Sequence, residues 1–170
     1  MADPLARFLP TSETLERSLL DRLIDRDPDL AGDPPRMIGE QVNEIRESLR
    51  RDVEALLNTR RCPTTPSPDP ESDLSDSLLT YGVDGFFATN LVTDEQRTAF
   101  ARSLEESIRR CEPRLEDVRV SALPPRQQGE RSLRLRIEAV HHLQRGLPAI
   151  AFETAVDPTT QRLQIEAAHG

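Results

Sequence analysis

The sequence predicts an α+β fold, with N-terminal helices packed on one face of a C-terminal, mostly antiparallel sheet of about four strands. Three observations predict it. Up to Cys111, apolar side chains recur at steps of three and four, the period of a helix. From Val118 onward they recur at steps of two, the period of a strand. Between the two regimes stands Pro113, which has no backbone N–H to donate and pushes Glu112 out of helical geometry.

The elements follow in order. Residues 1–14 are expected to form a flexible N-terminus, and 15–170 a single domain. Leu15, Leu19, Leu20 and Leu23 share one face of a short helix that Asp27-Pro28 and Asp33-Pro34-Pro35 terminate. So narrow an apolar stripe should dock, either on the chain's own core or on another subunit. The longest helix is expected to start near Pro35 and end near Asn58-Thr59-Arg60-Arg61. Its stripe is Ile38, Val42, Ile45, Leu49, Val53, Leu56 and Leu57. Its opposite face carries Glu40, Glu44, Arg46, Glu47, Arg50, Arg51 and Asp52, a pattern that ordinarily meets water.

From 62 to 75 the chain changes character. Pro63, Pro66, Pro68 and Pro70 alternate with polar residues, which reads as an extended linker or insert. Ser77 to Gly82 reads as one helical turn, with Gly82 in a left-handed conformation at its end. Tyr81 is expected to pack its ring and leave its hydroxyl at the edge, and Phe86 and Phe87 are expected to pack. Thr93 and Gln96 form a capping box that starts the next helix, whose face is Phe100, Leu104, Ile108 and Cys111. Four strands follow, carried by Val118–Ala122, Leu133–Ala139, Ile150–Val156 and Leu163–Ala167. The polar face of that sheet is rich in arginine and glutamate.

Composition excludes several function classes. The net charge is -8, against the cationic surface that nonspecific nucleic-acid binding needs. All 22 basic residues are arginines, the side chain suited to ion pairs at interfaces. Cys62 and Cys111 stand far apart, so neither a zinc site nor a disulfide framework is indicated. No leader and no run of about 18 apolar residues is visible, so a cytoplasmic location without direct membrane insertion is expected. Cofactors are not indicated. No GxSxG elbow, P-loop or GxGxxG occurs, and His141-His142 on a strand would point to opposite faces.

At the junction, Glu112 and Arg114 flank Pro113 as an opposite pair on a fixed corner. The pair can grip a partner or lock two elements of the chain itself. It can also be an ordinary ion pair at a helix end, which contributes little when exposed. Glu112 as the general acid of a glycosidase is disfavoured by Arg114, which would hold it ionised. The residues favour an interaction protein over an enzyme.

Four local sequences together resemble one family. They are Leu19-Leu20-Asp21-Arg22-Leu23, the helical run Glu47 to Arg60 ending in Asn58-Thr59-Arg60, Ser77-Leu78-Leu79-Thr80-Tyr81-Gly82, and Glu112-Pro113-Arg114-Leu115. In this order, followed by β segments, they resemble the TssE family of type VI secretion baseplate subunits, which is similar to a phage baseplate wedge protein. The resemblance spans about residues 15 to 167 and implies a structural role. It implies assembly with the wedge proteins TssF and TssG and templating of the contractile TssB–TssC sheath, whose strands can add to the sheet. It implies a place at the inner face of the inner membrane. The expected partner-binding residues are Glu112, Pro113 and Arg114 at the corner, Arg119 on the sheet, and Leu19, Leu20 and Leu23 on the first helix. The insert at 62–75 is longer than the family pattern. The alternatives are a peptidoglycan glycosidase, which the lysozyme label once given to the phage relative suggests, and a stand-alone cytoplasmic adaptor.

Overall fold

The structure, a computed structural model, describes residues 10–11, 17–24, 28–32, 36–62, 74, 77–84, 93–124, 133–141, 150–156 and 162–167. The expectations for Leu15, the prolines of the insert, Phe86, Phe87 and His142 lie outside the described residues. Two compact units are present, Met1–Leu49 and Arg50–Gly170.

In the first unit, β1 (Pro10–Thr11) pairs antiparallel with β2 (Arg36–Met37), in a stretch expected to be loose. Helix α1 covers Leu19–Leu23. Ser18 caps it by accepting the Asp21 N–H at 3.2 Å. Asp21 also accepts the hydroxyl of Ser48, which anchors α1 through its polar residues. Its leucines face outward instead: Leu19, Leu20 and Leu23 are 76%, 59% and 81% exposed. Helix α2 (Ile38–Asn58) starts later than Pro35 because Arg36–Met37 is held as strand. The Met37 N–H donates to Glu40 at its first turn, and Arg36 pairs with Glu44 at 2.7 Å.

In the second unit, Val53, Leu56 and Leu57 of α2 are buried as their spacing requires. The turn at Leu78–Thr80 is a 3-10 helix capped by Ser77, and Gly82 has φ of 104°. Helix α3 (Asp94–Cys111) opens on the capping box, with Gln96 N–H donating to Thr93 at 3.2 Å and Thr93 N–H to Gln96 at 3.1 Å. Phe100, Leu104 and Ile108 are buried, while Cys111 is half-buried rather than a core residue.

The sheet is a four-stranded antiparallel meander of β3 (Leu115–Leu123), β4 (Leu133–His141), β5 (Ile150–Val156) and β6 (Leu163–Ala167). This is the predicted class and strand count. Its apolar row runs in register, Ile137 opposite Phe152 and Leu135 opposite Thr154, with Ile165 beyond. Strand β3 begins earlier than the alternation suggested. Leu115 and Val118 are both buried although three apart, because the pairing shifts between Glu116 and Arg119. Asp117 adopts φ of 50° there, and this bulge returns Val118 and Val120 to the core side.

The hydroxyl of Thr154 sits badly in this apolar row. Thr154 Oγ is buried and has no hydrogen-bond partner among the described residues. Thr154→Val keeps the shape and removes the unpaired hydroxyl, so it should raise stability by about 1 kcal/mol. The measure is a higher urea midpoint at unchanged slope. A lower midpoint would show that the hydroxyl is bonded in solution.

Candidate functional site: the Glu112–Arg114 corner

The corner is built by a helix stop. The Glu112 N–H still donates to Ile108 O at 2.8 Å, so Glu112 is the C-cap of α3. The Leu115 N–H then donates to Glu112 O at 3.1 Å, closing a four-residue turn with Pro113 at its second position, where a fixed φ is favoured. That turn places the Arg114 side chain back over the Glu112 carboxylate. Arg114 Nε donates to Glu112 at 2.6 Å and Nη2 donates to the other oxygen at 2.5 Å, a fork-on-carboxylate pair. Glu112 is only 7% exposed.

A third residue completes the site. Arg114 Nη2 also donates to Asp52 at 2.7 Å, and Arg51 donates to the other oxygen of Asp52 from Nε at 3.1 Å and Nη2 at 3.0 Å. Charges therefore alternate as Glu112, Arg114, Asp52, Arg51. Bonding to Glu112 raises the Arg114 pKa first of all; burial opposes this, and Asp52 adds to the rise. The Tyr81 phenol, half-buried beside the corner, is pushed above its ordinary value of 10.0 by burial, then by the charges of Cys111, Asp52 and Glu112.

The surrounding chain is strapped to the same place. Arg110 of α3 donates to Thr80 O at 3.1 Å. Val83 exchanges two backbone bonds with the end of α2, its N–H to Thr59 O and Arg61 N–H to its carbonyl, both at 2.9 Å. Gly82 is required there, since a Cβ would lie 2.6 Å from Thr59 O on a backbone of positive φ.

Of the expected site residues, the structure joins Glu112, Pro113 and Arg114, with Pro113 exposed at the tip. Arg119 takes no part in the corner's hydrogen bonds; it is exposed on β3 opposite Glu138. Leu19, Leu20 and Leu23 lie in the other unit. Sequence reasoning missed Asp52, which it assigned to the solvated face of α2. Its one signal was an aspartate one residue from the Val53 of the apolar stripe, at the stripe's flank.

The arrangement can hold elements together, and both Glu112 oxygens are engaged by Arg114 rather than presented to a substrate. The family model of the baseplate wedge protein gp25 matches residues 43–146. The chain belongs to this baseplate wedge family. No curated protein matches it. The matched span runs from within α2 to just past β4, so it contains every residue of the corner. The wedge protein's fold is thus built around a lock whose charged groups are satisfied internally.

Removing one partner of the lock leaves the other buried. Arg114→Ala should destabilise this wedge protein by about 3 kcal/mol, less than a fully buried pair because part of the guanidinium meets water. The double variant Glu112→Gln/Arg114→Met should recover much of that loss, as read by chemical denaturation. Equal stability of Arg114→Ala and wild type would remove the lock as a structural element.

The chain has one tyrosine and no tryptophan, so its phenolate absorbance reports Tyr81 alone. The native chain favours the neutral phenol. The stability this contributes is present below the ordinary value and is lost as pH rises through the raised native one. Spectrophotometric titration should show a midpoint above 10.0 in the folded chain and a normal one in urea. A native midpoint at or below 10.0 would place the ring in water.

Proposed function

We propose that this chain is the structural wedge subunit of a type VI secretion baseplate, that it assembles with TssF and TssG, and that it starts polymerisation of the TssB–TssC sheath by accepting sheath strands on its sheet. The observation that carries the reading is membership of the baseplate wedge family over α2, α3 and the first half of the sheet. The motif order quoted from the sequence supports the secretion-system branch. The subunit acts by assembly, not catalysis, and works in the cytoplasm at the inner face of the inner membrane. Among the described residues no helix is long and apolar enough to cross a membrane, consistent with docking there through partners.

The contact surfaces divide in two. The exposed Leu19, Leu20 and Leu23 of α1 supply apolar area with no cover among the described residues. The rigid corner presents Pro113 and the outer side of Arg114, and the sheet presents Arg119. The corner's internal bonds suit a preformed surface, because nothing there must be ordered on binding.

The test is co-expression of the tagged chain with TssF and TssG, and separately with TssB and TssC. Variants should be exposed residues whose loss spares the fold, namely Leu19→Ser/Leu20→Ser/Leu23→Ser and Arg119→Glu. Each leucine newly buried on binding contributes about 1.5–3 kcal/mol, so the triple variant should lose wedge capture at least tenfold. Capture of neither pair by the folded wild-type chain would overturn the reading. Undiminished wedge capture by the triple variant would remove α1 from the interface.

A further inference from the structure

The two outer edges of the sheet are both covered by side chains, but in different ways. Along β3, Arg109 donates to Val118 O at 2.7 Å and Glu105 accepts the Val120 N–H at 3.0 Å. Glu105 and Arg109 are themselves paired at 2.8 Å, and the bulge at Asp117 bends the strand beside them. An incoming strand would have to displace both members of an ion pair together and then follow a kinked edge, two devices that close edges against addition.

Along β6 the cover imitates a strand. The Asn58 side-chain amide donates to Leu163 O at 2.8 Å and accepts the Leu163 N–H at 3.0 Å, the reciprocal pair that a peptide group of a neighbouring strand would make. Arg50 donates to Ile165 O at 3.1 Å. The Leu163 N–H and carbonyl point away from β5, so by the two-residue period those of Ile165 and Ala167 do too. The Ile165 N–H has no hydrogen-bond partner among the described residues. Both covering side chains also have a second bond within α2. The Asn58 amide donates to Glu54 O at 2.9 Å, and Arg50 pairs with Glu54 at 2.5 Å. Each can leave β6 without orphaning a polar group, and Asn58 stands exposed at the last position of α2.

We propose that the outer edge of β6 is the strand-docking site of this subunit, with Asn58 as a placeholder that an extended partner segment displaces. The inference rests on the reading above that a partner strand adds to this sheet, and it specifies the edge and the residue that controls it. The fitting segment is about five residues long, one strand's match for Leu163–Ala167. Its side chains alternate, apolar ones continuing the buried row of Leu163 and Ile165 and polar ones following the exposed Gln164. Main-chain bonds to Leu163 and Ile165 replace those of Asn58 and Arg50, and the free Ile165 N–H gains a partner.

Amide hydrogen exchange on the full chain, with and without the purified TssB–TssC pair, tests this. In the free chain, Asn58→Ala should speed exchange at Leu163. On mixing with wild type, the Ile165 amide should slow at least tenfold while the Ala122 amide of β3 is unchanged. Asn58→Ala should then bind about tenfold tighter, since two displaced hydrogen bonds no longer compete. If Asn58→Ala fails to fold, Arg50→Gln, which frees Ile165 O alone, should show the same direction with a smaller gain. Binding with protection at Ala122 and none at Ile165 would overturn the docking edge and leave the wedge reading standing. So would weaker or unchanged binding by the variant that folds. No binding by wild type or variant would overturn both.

Discussion

A carboxylate at the C-terminal end of a helix faces the negative end of the helix dipole, and burying it adds the cost of losing water. Glu112 is in that position, at the cap of α3 and almost fully buried. It is tolerable because a guanidinium two residues away returns over it and uses a fork of donors. The return depends on the turn, and the turn depends on Pro113, whose fixed φ suits its second position. The charge order of the site then follows. The fork leaves Arg114 Nη2 with a further bond to give, which Asp52 accepts, and Arg51 balances Asp52, extending the pair into an alternating chain of four.

Because Asp52 belongs to α2, this chain of charges also joins elements far apart in sequence, over 62 residues between Asp52 and Arg114. The same junction receives the segment around Val83, bound by backbone to Thr59 and Arg61 and by Arg110 through Thr80. Three sequence segments with no shared periodicity thereby meet at one corner. Strand β3 starts directly from it, and its first inward residue, Leu115, is placed by the turn rather than by the sheet. The bulge at Asp117 reconciles that starting phase with the phase β4 demands, at a cost of order 1–2 kcal/mol for a non-glycine residue at positive φ.

The class, the two long helices and all four strands of the meander were legible because each rests on local rules. Thr93 and Gln96 name a helix start, and alternating Leu133, Leu135 and Ile137 name a strand, without reference to any other segment. What was not legible depends on pairing at a distance. Arg36–Met37 is strand because of Pro10–Thr11, so the start of α2 moves. Asp52 looked like one of many charges on a solvated face until the turn at Pro113 brought Arg114 to it. The exposure of α1 went against its apolar stripe for a similar reason: Asp21, not the leucines, makes the contact to Ser48. The bulge had a readable trace, the odd spacing of Leu115 and Val118, but only once both were known to be inside.

An open four-stranded sheet has two edges, and each is a row of main-chain groups that water or another strand must satisfy. Side chains that cover such a row differ from strands in a useful way. A strand must be peeled along its length, whereas a side chain lets go by a rotamer change. A covering ion pair such as Glu105–Arg109 resists that change, because each member bonds the strand and holds the other in place, so both must leave together. A neutral amide such as that of Asn58 does not, because its donor keeps the carbonyl of Glu54. The two helices that build the corner thus also set an asymmetry between the edges of the sheet. One edge is fastened by two side chains that also bond each other, and the other by Arg50 and by the Asn58 amide, whose geometry already matches the peptide that could replace it.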